Sequence, residues 1–97
     1  MQKAIDAMYY PPRGKRGVGL ARAQQYGAGF EDYKKWLETE AVCVAQIEHI
    51  EAVENLEAIL AVPGVDAYFL GPYDLSASMG LAGQIDHPDV QAAIARV

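Results

Sequence analysis

Residues 46–80 read QIEHIEAVENLEAILAVPGVDAYFLGPYDLSASMG. Two apolar runs meet this stretch, and an acid follows each. AVCVAQI (Ala41–Ile47) leads into Glu48, and VDAYFLG (Val65–Gly71) leads into Asp74. The first run is short, continuous and partly β-branched, which predicts a strand buried on both sides, as in a parallel sheet. Between the runs, His49–Val62 predicts an amphipathic helix with Ile50, Val53, Leu56, Ile59 and Leu60 on one stripe. Pro63–Gly64 end it. Strand, helix and strand in this order form a βαβ unit with parallel strands. Ligands of parallel α/β folds bind beyond the C-terminal strand ends, which is where both acids fall.

Working outward, Gln2–Met8 predicts a helix that stops ahead of Pro11–Pro12, because a residue before proline is pushed out of the α region. The loop YYPPRGKRGVG follows. A short helix is expected over Leu20–Tyr26, ended by Gly27 and Gly29. A longer one is expected over Phe30–Glu40, with Phe30, Tyr33, Trp36 and Leu37 packing on one face. Past the second strand, Asp74–Met79 reads as a short helix and Gly80–Gln84 as a loop. Asp86 or His87 caps a last helix that starts at Pro88 and is still running at Val97. Two strands are too few to bury both faces of a sheet, and both ends of the chain fall within helices. The expectation is a slice of a larger repeating α/β fold.

Ninety-seven residues are one domain at most. The formal charge of −5 disfavours nucleic acid as a partner. A single cysteine, Cys43, cannot form an internal disulfide and reads as a buried, inert thiol of a reducing compartment. No segment approaches the roughly 20 apolar residues of a membrane helix, and MQKAIDAMYY lacks the apolar centre of a signal peptide. A cytoplasmic protein with no membrane partner is expected.

Carboxylates at the ends of two neighbouring parallel strands can reach one cation. Without a Cys or His pair, they suit Mg²⁺ or Mn²⁺. Two plainer readings stand beside this one. Asp74 can be the N-cap of its short helix, and Glu48 can be a solvated first-turn acid. The turn GPYD adds a second feature. Gly71 lets the backbone approach a ligand, Pro72 stiffens the turn, and the amides of Tyr73 to Ser76 open a helix toward an anion. A 2-oxo acid matches such a pair of features, with its carboxylate at the helix end and its oxygens on the metal. Lys34 and Lys35 lie mid-helix, so no lysine stands at the strand ends for imine chemistry.

YPPRGKRGVG, QIE, GPYDLSASMG and HPDV, in this order along nearly the whole chain, together resemble the HpcH/HpaI aldolases. These are class II, metal-dependent pyruvate aldolases on a (β/α)₈ TIM barrel. The resemblance implies that residues 1–97 are a single partial barrel domain lacking the N-terminal strands and the C-terminal end. It implies a divalent metal ion (Mg²⁺, Mn²⁺ or Co²⁺) held by Glu48 and Asp74. It places Gln46, Gly71, Pro72, Tyr73, Asp74 and Ser76 at the substrate, with Tyr73 at a variable position toward the aldehyde. The implied reaction is reversible aldol cleavage of a 4-hydroxy-2-oxo acid to pyruvate and an aldehyde, by a homo-oligomer in the full-length form.

The family's catalytic arginine and His–Asp pair come from earlier strands and have no counterpart here. His49 is expected exposed at a helix start and His87 in a helix cap, so neither replaces them. The chain then carries the metal and carboxylate half of the site and is inactive alone. The alternatives are an acyl-CoA lyase of the citrate-lyase β type, or an inactive truncated fragment. Arg13, Lys15, Arg16 and Arg22 crowd the early loop. They either steer acidic substrates, meet a neighbouring subunit, or are simply solvated.

Overall fold

In the computed structural model, which describes residues 1–97, the chain divides into two units, Met1–Val42 and Cys43–Val97. In the first unit, helix α1 (Gln2–Met8) ends where Tyr9 turns extended, as the prolines require. The loop after it folds back on α1. Lys15 N–H donates to the Asp6 carbonyl (2.6 Å) and Arg16 N–H to that of Tyr9 (3.0 Å).

The early basic residues hold this loop. Arg13 lies over the Tyr9 ring, 3.6 Å from its centroid, and donates to Glu38 Oε2 at 2.6 Å. That hydrogen bond raises the guanidinium above its ordinary value. Arg16 donates to the Tyr33 hydroxyl (2.8 Å), and Lys15 lies 3.7 Å from Asp6. Three of the four cationic side chains are therefore engaged within the loop's own unit.

The expected helix over Leu20–Tyr26 is only a 3₁₀ segment, Arg22–Gly27, kinked where Gln25 and Tyr26 adopt left-handed backbone. Helix α2 (Phe30–Glu40) forms as expected. Leu37 is buried, but Trp36 is half exposed and stacks on Tyr33 instead of entering a core.

The second unit begins with β1 (Val44–Ile47), which pairs in parallel with β2 (Ala67–Leu70) in the register Val44↔Ala67 to Ile47↔Leu70. Asp66 clamps the entry to both strands. Its carboxylate accepts the Cys43 N–H at 2.7 Å, and its own N–H donates to the Cys43 carbonyl at 2.9 Å. Cys43 is buried, as its apolar run implies.

The strand is not buried on both sides. Ala45 and Ile47 are covered while Val44 and Gln46 are exposed, the alternation of a half-covered sheet. Within this unit the sheet has two strands only; the Gln46 face stays open, and β2 is exposed at Ala67, Tyr68 and Phe69.

The helix expected over His49–Val62 is broken into α3 (Ile50–Glu54) and α4 (Leu56–Leu60). Asn55 causes the break. Its side-chain amide donates to the Glu51 carbonyl at 2.7 Å, the local competition with helical bonding that Asn favours. Of the expected stripe only Val53 is fully buried.

Helix α5 (Pro72–Ser78) starts two residues earlier than its pattern suggested, with proline at its first position. Gly80 ends it in left-handed backbone (φ +75°). The Gly80 N–H donates to the Ala77 carbonyl and the Leu81 N–H to that of Ser76, the paired closure of a Schellman cap. Helix α6 (Pro88–Arg96) is capped by His87, whose Nδ1 accepts the Asp89 N–H. The core of this unit is Ile47, Val53, Leu75 and Val90, each no more than 2% exposed. Such burial stabilises by about 1.5–3 kcal/mol per side chain, so a few residues hold the strand ends in place.

Candidate metal and carboxylate site

Parallel pairing fixes what stands opposite what. The ladder continues past Ile47↔Leu70, because the Gly71 N–H donates to the Ile47 carbonyl at 2.9 Å. One step further, Glu48 stands opposite Gly71. Gln46 and Glu48 point to one face of the strand, the face left open. The neighbouring strand presents Phe69 and Gly71 on that same face. A Cβ built on Gly71 would fall 2.9 Å from Glu48 Cβ, 3.0 Å from its Oε2 and 3.1 Å from Gln46 Nε2. Position 71 is therefore glycine because two polar side chains, Gln46 of β1 and Glu48 just past its end, lean across it.

Asp74 is the third residue of α5. The N-cap of that helix is Gly71, and no side chain caps it, so the plainer reading of Asp74 as the cap does not hold. It is a first-turn acid instead, favourably placed on the helix dipole. Glu48 precedes the cap of its own helix, which is His49; the first-turn acid of α3 is Glu51. Glu48 is half-buried, and Asp74 is exposed. Neither forms an ion pair within Cys43–Val97, and no group of three or more His, Cys, Asp or Glu side chains gathers in the chain.

The two helix starts differ in what they leave open. At α3, Ile50 N–H donates to Ser78 Oγ and Glu51 N–H to His49 Nδ1. Ala52 and Val53 donate to the His49 carbonyl. All four amides are satisfied, three by His49 and that of Ile50 by Ser78. At α5, Pro72 has no N–H and the Leu75 N–H is taken by the Gly71 carbonyl at 3.0 Å. The opening expected over Tyr73 to Ser76 thus narrows to the amides of Tyr73 and Asp74.

Ser76 is placed differently from the other candidates. Its side chain is fully buried. Its hydroxyl donates to the Tyr73 carbonyl (2.6 Å) and accepts the Gly83 N–H (3.0 Å). Gln46 and Tyr73 are exposed, Tyr73 at 65%. His49 is exposed and bonded only to its own helix start. Sequence reasoning missed Ser78, whose bond to Ile50 ties α5 to the turn after Glu48. The signal was the repeated serine in DLSAS. It also missed Asp66, a lone acid ahead of a strand.

The family model HpcH/HpaI aldolase/citrate lyase matches residues 1–97. A hydroxypyruvate/pyruvate aldolase of Cupriavidus necator is 50% identical over 92 residues, which cover 93% of this chain and 34% of that enzyme. A 4-hydroxy-2-oxo-heptane-1,7-dioate aldolase of Shigella flexneri is 50% identical over 95 residues, covering 96% of this chain and 35% of that enzyme. Among solved structures, an HpcH/HpaI aldolase/citrate lyase family protein of Burkholderia cenocepacia superposes with a TM-score of 0.83 at 40% identity, over 97% of this chain and 38% of that one. The chain spans about a third of the length of these relatives. It belongs to the HpcH/HpaI aldolase/citrate lyase family.

Proposed function

We propose that this chain supplies the metal-binding and pyruvyl-carboxylate part of a (β/α)₈-barrel carbon–carbon lyase. The whole enzyme would cleave a 4-hydroxy-2-oxo acid reversibly to pyruvate and an aldehyde. One observation carries the reading: Glu48 lies against Gly71 at the ends of two paired parallel strands, and Asp74 follows in the first turn of α5. The names of relatives about half identical to this chain, all aldolases, favour 2-oxo acids over CoA thioesters.

Two carboxylates suit an oxygen-preferring divalent ion such as Mg²⁺ or Mn²⁺, with Co²⁺ as a borderline alternative. Glu48 and Asp74 offer carboxylate oxygens, and the Gln46 amide stands with Glu48 beside Gly71, an oxygen-rich set of the kind that such ions prefer. When bound, such a cation supplies Lewis acidity toward a 2-oxo oxygen. The protein's own groups do the rest. The Tyr73 and Asp74 amides orient the substrate carboxylate, and Pro72 fixes the turn that presents them. Gln46 Nε2, beside Gly71, can donate to a substrate oxygen. Ser76 braces the turn from below through the Tyr73 carbonyl. Tyr73 flanks the aldehyde side.

Bond cleavage requires an acid–base pair, which this half-site does not contain, so aldol activity belongs to the larger protein. Titration of Mn²⁺ into the chain, followed by electron paramagnetic resonance, tests the reading: the wild type takes up the ion and Glu48→Gln does not. Equal uptake by both removes Glu48 from the site.

A further inference from the structure

Glu48 and Asp74 lie on different elements, and a site that needs both depends on what fixes one against the other. The backbone ladder stops at Gly71, opposite Glu48, and does not extend into α5. One side-chain hydrogen bond joins the turn after Glu48 to the helix carrying Asp74. Ile50 N–H donates to Ser78 Oγ at 3.0 Å, and the Ser78 hydroxyl donates in turn to the Leu75 carbonyl at 2.7 Å.

Both ends of this relay are anchored. Leu75 is fully buried. Ile50 is the first residue of α3, two positions past Glu48, and its neighbours' amides are already satisfied by His49. Of the four amides that open α3, only that of Ile50 reaches another element. The bond is partly buried, so losing the hydroxyl strands the Ile50 N–H where water replaces it poorly.

We propose that Ser78 is a positioning residue for the metal pair: it holds the Glu48 turn against α5 and so sets the separation of the two carboxylates. The inference rests on the metal reading of Glu48 and Asp74. A serine with only local use would bond back to its own helix and nothing else. Ser78 does that through Leu75 and also accepts a donor 28 residues away in the chain.

The test compares Mn²⁺ affinity with unfolding midpoint in the 97-residue chain, in five forms: wild type, Glu48→Gln, Ser78→Ala, Ser78→Thr and Val90→Ala. Val90→Ala weakens the same unit from its core without touching the hydroxyl relay. The expected result is a fall in Mn²⁺ affinity of about tenfold or more in Ser78→Ala, recovery in Ser78→Thr, and near wild-type affinity in Val90→Ala while it remains folded. Amide exchange at Ile50 should rise in Ser78→Ala, with Ala52 unchanged.

If wild type and Glu48→Gln bind alike, or neither binds, the metal reading fails and the inference falls with it. If wild type binds, Glu48→Gln does not, and Ser78→Ala keeps full affinity, the metal reading stands and the positioning role is overturned. Should Ser78→Ala and Val90→Ala both lose affinity in step with stability, Ser78 is an ordinary structural residue and the positioning role is overturned.

Discussion

Glu48 covers Gly71 so closely that a single methyl group at position 71 would fall 2.9 Å from Glu48 Cβ and 3.0 Å from its Oε2. The acid and the glycine face each other across parallel strands, and each fixes what the other can be. Gly71→Ala therefore displaces Glu48 and Gln46 together. The expected outcome is a loss of Mn²⁺ affinity of about tenfold or more, equivalent to about 1.4 kcal/mol, read by calorimetric titration. Unchanged affinity would mean that Glu48 reaches an ion from elsewhere.

Gly80 makes the opposite case. It has left-handed backbone, and nothing lies within 4 Å of the Cβ it would gain. Gly80→Ala is strained without a clash and should cost about 1–2 kcal/mol, seen as a lower urea midpoint. Mn²⁺ affinity per folded molecule should not change. The pair of variants separates a glycine required by packing at the site from one required by backbone geometry.

Leu75 is fully enclosed at the centre of the unit, one residue past Asp74. Leu75→Ala should destabilise Cys43–Val97 by about 2–5 kcal/mol, a large share of what so small a core provides. Intrinsic fluorescence does not report this unit cleanly, because the one tryptophan, Trp36, lies in the other. Amide exchange at Ile47 and at Gln91, whose N–H donates to the His87 carbonyl, checks it instead, with faster exchange expected at both.

The strands, their parallel pairing and the acids at their ends were legible in the sequence. Apolar period and the placement of Gly and Pro signal them directly. So was the helix starting at Pro88, with His87 or Asp86 as its cap; the cap is His87. What was not legible depended on pairing or on single side chains. Asn55 breaks a helix whose apolar stripe runs through it without interruption. Burial on both sides of β1 was inferred from composition, yet with two strands in the unit one face stays open. Gly71 was legible as a close-approach glycine, but the partner it makes room for was not. That partner follows from strand register, which no local pattern encodes. Ser76 was chosen by its place in the turn, and its hydroxyl is spent on Tyr73 and Gly83. Ser78, two residues on, carries the contact that reaches the Glu48 turn.

Tyr73 is exposed, at 65%, and makes no side-chain hydrogen bond within its unit. In a full-length enzyme carrying this segment, Tyr73→Ala should change the relative kcat/KM among aldehydes by several-fold and leave pyruvate proton exchange intact. Unchanged aldehyde preference would remove Tyr73 from the pocket.

The measurement that bears most directly on the central claim is calorimetric binding of Mn²⁺ to the 97-residue chain, with and without oxalate, beside the double variant Glu48→Gln, Asp74→Asn. Oxalate offers the two adjacent oxygens of a 2-oxo acid. The account predicts that the wild type binds Mn²⁺, that oxalate tightens this binding, and that the folded double variant loses both. Binding that survives in the double variant, or a folded wild-type chain that takes up no Mn²⁺ with oxalate present, would contradict it.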